Sequence, residues 1–465
     1  MANFPHIVMI IPRGEAVRSF LYSDTLRVLS ENATVTLLSV IDDEGFKAQF
    51  SPYTQAVYPL REYPENTLVR RFRTIVHNAH FQWLGSGVAR NRIEMHDAQM
   101  RTIRQKTLRK AWKAFIWTLG NRPTVEALGR IERALTLRMR PTQEFDRLFD
   151  ELRPELVFNT SHVHGNASSL PVRVAYHKGI KTAGFVFSWD NLTSRSRIME
   201  PYHHYLVWTK SIKNDFLRIY PNIEPDRVHI TGTPQFDFHF RDSYWLSREE
   251  LAKRVGFDPK RPFVLYTTGI DRHFPEEHRT VQLVIDLLRK MPQKPQLVVR
   301  NYIKGISNEM RALTKSGHDN VYFPPMEWDE KWFIPTQEDQ RILTSMLREC
   351  ALGINAASTI SLELMLHRKP VINLGFDPPG SNLPNHLRYK RHTDEFDHYI
   401  PVTRSGGVMI ARSPQDMAEM IQYGLNSADR FDDVQAQFLQ NMFGNRLDGC
   451  AGTRVAETLL SLAKI

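Results

Sequence analysis

Two cysteines, Cys350 and Cys450, are all that the 465 residues contain. So few in so long a chain argue against a disulfide-stapled secreted domain and for a reducing compartment. There is also no run of about 18 apolar residues, the length a membrane-crossing helix needs. The apolar run His6–Ile11 is too short for a secretory signal core, and charged Arg13 and Glu15 follow it closely. A cytoplasmic protein is therefore expected. No Asp-x-Asp pair occurs, and His162-x-His164 has no third ligand at a telling spacing. Both absences disfavour a divalent cation at the site, so neither a metal nor a cofactor is expected. Internal repeats and low-complexity tracts are absent too.

What is abundant is positive charge, in one place. The net charge is +10, yet residues 61–140 alone hold 17 Lys or Arg against 6 Asp or Glu. The rest of the chain is close to neutral. Within this segment Leu108, Ala111, Trp112, Phe115 and Leu119 recur at helical spacing, with Arg109, Lys110 and Lys113 off the stripe. A second pattern runs through Val125, Leu128, Glu132, Leu135 and Met139, beside Arg130, Arg133 and Arg138. Both predict helices whose apolar stripe packs on the domain and whose outer face is basic. Such a face suits a polyanion, such as an anionic membrane surface on the cytoplasmic side or a charged acceptor. Nucleic acid is disfavoured: no known binding module is present, and two of Trp112, Phe115 and Trp117 fall on the packing stripe.

Elsewhere, short β-branched runs alternate with helical stretches. His6–Ile11, a helix over about 18–29 and Val35–Val40 form a strand–helix–strand start. Further strands are predicted at Leu156–Asn159, Ala183–Ser188, Tyr205–Trp208 and Val228–Thr231. A second series begins at Phe263–Thr267 and continues through Leu297–Arg300, Val321–Phe323, Leu352–Asn355 and Val371–Leu374, with helices between them. Residues 382–398 read as a polar loop, and helices near 414–425, 430–442 and 453–464 close the chain. The pattern predicts two successive parallel-sheet α/β domains: residues 1–237, with the helical insertion at about 61–140, and residues 262–465, joined by a connector at 238–261.

Ligands of parallel sheets gather at the carboxyl ends of the strands, near helix N-termini. In the second domain these places hold Thr268-Gly269, Arg300 with Lys304, and Ser358-Thr359 ahead of Glu363. Small residues let backbone N–H groups approach a phosphate, two cations neutralise a diphosphate leaving group, and a carboxylate one turn into a helix accepts from ribose hydroxyls. Ser358 is expected to cap that helix. In the first domain Arg13, Gly14 and Glu15 follow the first strand, His164 follows the strand ending at Asn159, and Asp190 lies in Ser188-Trp189-Asp190-Asn191-Leu192-Thr193-Ser194. Glu15, His164 and Asp190 are candidate bases, and Arg13 and Gly14 lie on the acceptor side.

In this order the second-domain features resemble the GT-B superfamily. The likeness is to the donor-binding half shared by bacterial glycosyltransferases, CDP-glycerol glycerophosphotransferases and UDP-N-acetylglucosamine 2-epimerase-like proteins. Thr231-Gly232-Thr233-Pro234 with Asp237, Ala357-Ser358-Thr359 with Glu363, Lys369-Pro370-Val371-Ile372, and Asp448-Gly449-Cys450-Ala451 with Arg454 carry it. Val163-x-Gly165-Asn166-x-Ser168 and Lys178-Gly179-Ile180 resemble an epimerase stretch. The resemblance implies two Rossmann-like domains facing a central cleft, with a nucleotide sugar as co-substrate on the second. It implies a glycosyltransferase acting on a glycan or lipid-linked acceptor, in bacterial surface polysaccharide or glycoconjugate synthesis. Asn166 stands where the epimerases carry Asp, and Arg300-Asn301 where the glycerophosphotransferases carry His-Pro. A CDP-polyol phosphotransferase, a nucleotide-sugar 2-epimerase, and a non-catalytic protein with a basic binding face are the alternatives.

Overall fold

A computed structural model describes residues 4–163, 166–329 and 331–464. The chain forms two compact units, Met1–Asp237 together with Asn445–Ile465, and Phe238–Gly444. The closing segment was expected in the second domain, but it folds with the first. The helix Ala451–Lys464 lays Val455, Ala456 and Leu459 into that unit, all fully buried. It packs on the helix Asp24–Asn32, whose Thr25 hydroxyl donates to the Gly452 carbonyl at 3.1 Å. Its first N–H groups, on Ala451 and Gly452, donate to the Asp237 carboxylate at 3.0 and 2.7 Å. A carboxylate there satisfies donors that have no partner inside the helix and complements the dipole.

The first unit is built on a seven-stranded sheet, β1 (His6–Ile11), β2 (Thr34–Ser39), β3 (Ala56–Pro59), β4 (Leu156–Asn159), β5 (Lys181–Phe185), β6 (His204–Val207) and β7 (Val228–Ile230). All neighbours are parallel, in the order β3-β2-β1-β4-β5-β6-β7. Ile7 to Ile11 are wholly buried, because helices cover both faces and every residue of a central parallel strand needs an apolar surround. The single helix expected over 18–29 is broken. A short turn at Gly14–Ala16 runs into a π turn at Val17–Leu21, and a new helix, Asp24–Asn32, starts where the Ser23 hydroxyl accepts from Thr25 N–H. Strand β3 was not predicted: it is a short edge strand, half-buried throughout.

The basic insertion forms four helices, Thr67–Leu84, Gly87–Ala98, Ile103–Leu119 and Arg122–Arg138. Glu132, read as part of an apolar stripe, is fully buried and accepts from Arg73 at 2.6 Å and from Thr136 at 3.0 Å, with Arg173 at 2.9 Å. The expected stripe of the third helix is not its packing face. Leu108 and Phe115 are exposed, and the inward line is Arg109, Trp112 and Ile116. Arg109 faces inward because Asp97, at 2.8 Å, holds its guanidinium.

The second unit carries β8 (Phe263–Thr267), β9 (Gln296–Arg300), β10 (Val321–Tyr322), a ribbon of β11 (Trp328–Asp329) and β12 (Ile334–Pro335), then β13 (Leu352–Asn355), β14 (Val371–Leu374) and β15 (Met409–Ala411). Its parallel sheet runs β10-β9-β8-β13-β14-β15. Val264, Tyr266, Val299, Ile354 and Ile372 form its core. The expected connector folds with this unit and contains the helix Arg248–Val255. The expected loop 382–398 contains the helix Lys390–Asp394 and buries Tyr389 and Arg391. Among the described residues no helix is long and apolar enough to cross a membrane.

Candidate functional site

In each sheet the strand order reverses beside the first strand, between β1 and β4 and between β8 and β13. The carboxyl ends of those strands are where a doubly wound unit opens toward ligand. In the second unit β13 ends at Asn355, which is fully buried. Its side-chain oxygen accepts from Ser358 N–H at 3.1 Å and from the Ser361 hydroxyl at 3.0 Å. Asn373 donates to the same oxygen at 3.2 Å, and the Tyr399 hydroxyl links Asn373 and Ser361 at 2.8 Å each. This network draws the loop tightly round Asn355 and puts Ala357 in the left-handed region, φ 45°. A non-glycine residue pays strain there, and such strain persists where the surroundings enforce it. Ser358 does not cap the helix as expected. The helix spans only Ile360–Leu366, Thr359 precedes it without a side-chain cap, and the Ser358 hydroxyl is turned back to Asn355 at 3.2 Å.

Glu363 lies in the first turn of that helix, and a residue not anticipated holds it. His239 Nε2 meets its carboxylate at 2.9 Å, and His239 Nδ1 meets His367 Nε2 at 3.0 Å. Donation from His367 through His239 to Glu363 satisfies both contacts. Burial, and then the neighbouring His239, lower the His367 pKa to about 3, so this ring stays neutral.

The other second-unit candidates are largely engaged. Gly269 N–H donates to Glu277 at 2.9 Å, and the Tyr266 hydroxyl donates to the same carboxyl at 3.0 Å. That amide already has an acceptor from its own chain, against the expectation of a phosphate contact. A side chain on Gly269 would strike the Phe274 ring, at 2.3 Å from a Cβ. Burial raises Glu277 to about 8. The Thr268 hydroxyl accepts from Tyr302 N–H at 2.8 Å and so shapes the turn leading to Lys304. Arg300 is buried and bonds both oxygens of Asp339 at 2.6 Å and the Pro325 carbonyl at 3.2 Å. Its guanidinium is a structural cation, which corrects the expectation that it meets a leaving group. Lys304 lies over the Phe333 ring at 4.7 Å.

In the first unit the π turn Val17–Leu21 begins just beyond Arg13, Gly14 and Glu15, and Arg13 pairs with Glu15 at 3.3 Å. Isolated π turns cluster at functional sites because they re-aim the chain. The Asp190 carboxylate accepts from the Ser188 and Ser194 hydroxyls and from Asn191. This positions it firmly and leaves it fewer lone pairs for an incoming proton. His162 is half-buried against the Phe185 carbonyl at 3.1 Å, and desolvation lowers its pKa to about 4. His164 lies outside the described residues. A groove between the insertion and the β4 side is lined by Tyr63, Asn66, Val69, Thr136, Asn166 and Ser169. Among the described residues no group of three or more His, Cys, Asp or Glu side chains is placed to hold a metal.

The whole chain is matched in shape by solved structures. The UDP-GlcNAc 2-epimerase of Neisseria meningitidis, bound to UDP-GlcNAc, superposes with a TM-score of 0.53 at 13% identity, covering 98% of this chain and 99% of that one. The Methanocaldococcus jannaschii UDP-GlcNAc 2-epimerase gives 0.51 at 12% identity, over 97% and 99%. The S. aureus MnaA–UDP co-structure gives 0.52 at 12%, over 97% and 95%. No protein-family profile matches the chain, and no curated protein matches it in sequence. The chain has the GT-B fold.

Two of the motifs that resembled GT-B proteins in sequence form a clamp within the first unit. Arg454 bonds both oxygens of Asp448 at 2.9 and 2.7 Å, the Thr231 carbonyl at 2.9 Å and the Arg446 carbonyl at 3.1 Å. Gly232, at φ 81°, lies so close that an added Cβ would stand 3.1 Å from the Arg446 carbonyl. In this GT-B chain those residues serve architecture, while Asn355, Ala357, Glu363 and His239 shape the strand-end loop and its helix. Asn355 was visible in sequence as the last residue of its strand, but its role follows from contacts with Asn373 and Tyr399, far along the chain. His239 carried no local signal, since its partner lies 124 residues away.

Proposed function

We propose that this chain is a metal-independent glycosyltransferase that takes a sugar from a nucleotide-activated donor, with the donor on the second unit. What carries this is the end-to-end GT-B likeness to proteins solved with UDP-GlcNAc or UDP, joined to a strained strand-end loop beside an oriented carboxylate, Glu363. Glu363 would accept from the ribose hydroxyls, with His239 fixing its rotamer. Ser358 and Thr359 would border the phosphates. Thr268 acts by shaping the loop before Lys304, and neutralisation of the leaving group falls to Lys304 rather than Arg300.

In the reaction an acceptor hydroxyl oxygen bonds to the anomeric carbon while the bond from that carbon to the phosphate oxygen breaks. The electron pair leaves with the nucleotide diphosphate, and the acceptor proton passes to a first-unit base. Glu15, Asp190 and His164 are the candidates, with Arg13 and Gly14 beside the first. Inversion at the anomeric carbon is preferred. A glycan or lipid-linked acceptor, and a place in polysaccharide or glycoconjugate synthesis, complete the proposal.

A nucleotide-sugar 2-epimerase is the second reading, favoured by the names of the matched structures. A panel of UDP-, GDP-, CMP-, CDP- and dTDP-linked compounds in a thermal-shift assay tests the shared premise. A ligand at about 100 times its Kd stabilises the folded state by about 2.7 kcal/mol. Glu363→Gln is expected to weaken the response about tenfold with unchanged circular dichroism. If no nucleotide raises the melting temperature, both readings fall. Nucleotide release only when acceptor is present supports transfer; a new epimer formed without acceptor supports the second reading, and a response to CDP-glycerol alone supports phosphotransfer.

A further inference from the structure

The third helix of the insertion, Ile103–Leu119, turns four large apolar side chains outward. Ile103 is 85% exposed, Trp117 71%, Leu108 61% and Phe115 46%. This is not a helix lacking a packing face, since Ile116 is buried and Trp112 and Arg109 are half-buried beneath it. Its start is also firmly set, by a capping box between Thr102 and Gln105. At 100° per residue, Trp117, Ile103, Ala114, Ala111, Phe115 and Leu108 span an apolar arc of about 180°. Lys106 and Lys113 run along one edge of that arc, and Lys110, next to that edge, and Arg104 are the cations inside it. Scattered exposed apolar residues are ordinary on a soluble protein; four large ones on a single helix form a surface that some partner covers.

Charge identifies the partner. Residues 98–125 contain seven Lys or Arg and no Asp or Glu. Lys113 is paired with Asp97, but Arg104, Lys106 and Lys110 have no ion pair among the described residues. A soluble polyanion would meet the lysines and leave Ile103 and Trp117 in water. A protein interface with Lys at its centre would be unusual, because lysine is depleted there. A bilayer with anionic headgroups meets both demands. Trp settles at the headgroup level, lysines extend to the phosphates, and apolar side chains enter the acyl boundary. We propose that the helix Ile103–Leu119 lies along an anionic membrane surface, with Ile103 and Trp117 inserted and Lys106 and Lys110 at the phosphates. The proposal uses no residue of the sugar site, so each can fail alone.

Vesicle co-sedimentation of the full chain tests it, with phosphatidylcholine alone and with added phosphatidylglycerol. Binding is expected only with the anionic lipid and is expected to weaken as salt rises. Lys106→Glu with Lys110→Glu should reduce it by about fivefold or more for each cation removed. Ile103→Ser with Trp117→Ser should reduce it about tenfold, through lost insertion. All four positions are exposed, so unchanged melting temperatures are expected and confirm that the fold is intact. Bromine-labelled acyl chains should quench wild-type fluorescence more than that of Trp117→Phe. The proposal is overturned by an absence of binding to anionic vesicles at low salt. It is also overturned if the Ile103/Trp117 pair leaves binding unchanged, or if binding to heparin or RNA is as tight and equally insensitive to that pair.

Discussion

The fourth strand of each sheet ends in a fully buried asparagine, Asn159 in β4 and Asn355 in β13, and the two are used differently. Asn159 accepts from Ser161 N–H at 3.2 Å and donates to the Tyr202 hydroxyl at 2.8 Å, and the chain moves on. Asn355 gathers Ser358, Ser361 and Asn373 onto one oxygen, and the loop tightens until Ala357 adopts a positive φ and a helix starts at once. The same residue in the same place in a sheet of the same order is thus followed by no positive φ in residues 160–163 of one unit and by a strained Ala357 in the other. What differs is the number of groups drawn onto the side-chain oxygen, Ser161 for Asn159 against Ser358, Ser361 and Asn373 for Asn355. The units also differ in ornament. Nearly a hundred residues separate β3 from β4, whereas about thirty separate β10 from β13. The first unit carries the basic insertion in that gap; the second carries only a ribbon and the helix Gln337–Glu349.

The comparison can be broken most forcefully at the buried charges. Each unit contains such a centre, Glu132 between Arg73 and Arg173 in the first and Asp339 on Arg300 in the second. Asp339 also accepts from Trp328 Nε1–H at 2.7 Å and from Glu327 N–H at 3.0 Å. Asp339→Ala leaves a buried guanidinium unpaired and should cost about 3–5 kcal/mol in urea unfolding of the second unit. The first unit's transition should stay in place. A loss shared equally by both units would mean that they do not respond as separate bodies.

A smaller change sharpens the contrast between the asparagines. Asn355→Ala orphans several buried donors, at about 1–3 kcal/mol for a buried group left unsatisfied. It should also reduce any nucleotide response in proportion to loop disorder. Asn159→Ala removes fewer contacts, so it should destabilise less and leave that response unchanged. Equal effects from both would show that the crowded network of the second unit has no special role.

The smallest expected effect concerns pH. Glu277, raised to about 8 by burial, holds its proton in the folded state across a range where the unfolded carboxyl has lost it. The folded state then binds more protons, so this group's contribution is full below about pH 4.3, declines as pH rises, and is gone by the folded value. Glu277→Gln should flatten the fall in melting temperature between pH 5 and pH 8 and leave stability near pH 5 almost unchanged. Three histidines whose pKa is lowered by desolvation act in the opposite sense. His80 and His162 of the first unit, at about 3 and 4, and His367 of the second, at about 3, must charge on unfolding, so stability falls as pH drops below the usual histidine range. A steeper alkaline slope in the Gln variant would contradict the protonated assignment.

The alternation of β-branched runs and helical stretches was enough to reach two parallel sheets. Central strands must be apolar on both faces, and helices must repeat near every fourth residue, so these signals are local. Strands β3 and β15 escaped notice because short segments at a sheet edge have no such constraint. The candidate site was legible only in part. Glu363 and the 357–359 turn could be singled out from their place after a strand, but the pairing of Arg300 could not, because a cation at a strand end looks the same whether it awaits a ligand or already holds a buried aspartate.

Composition and order along the chain determined by themselves the α/β class, the doubling of the sheet and the place of the basic insertion, because each depends on residues close together in sequence. Tertiary structure alone decided which side of the helix Ile103–Leu119 faces outward, which unit receives the last helix, and which polar groups are already engaged. Those outcomes turn on partners such as Asp97, Asp237, Asp339 and His239, and a hydrogen bond or ion pair depends on position in space rather than on nearness along the chain.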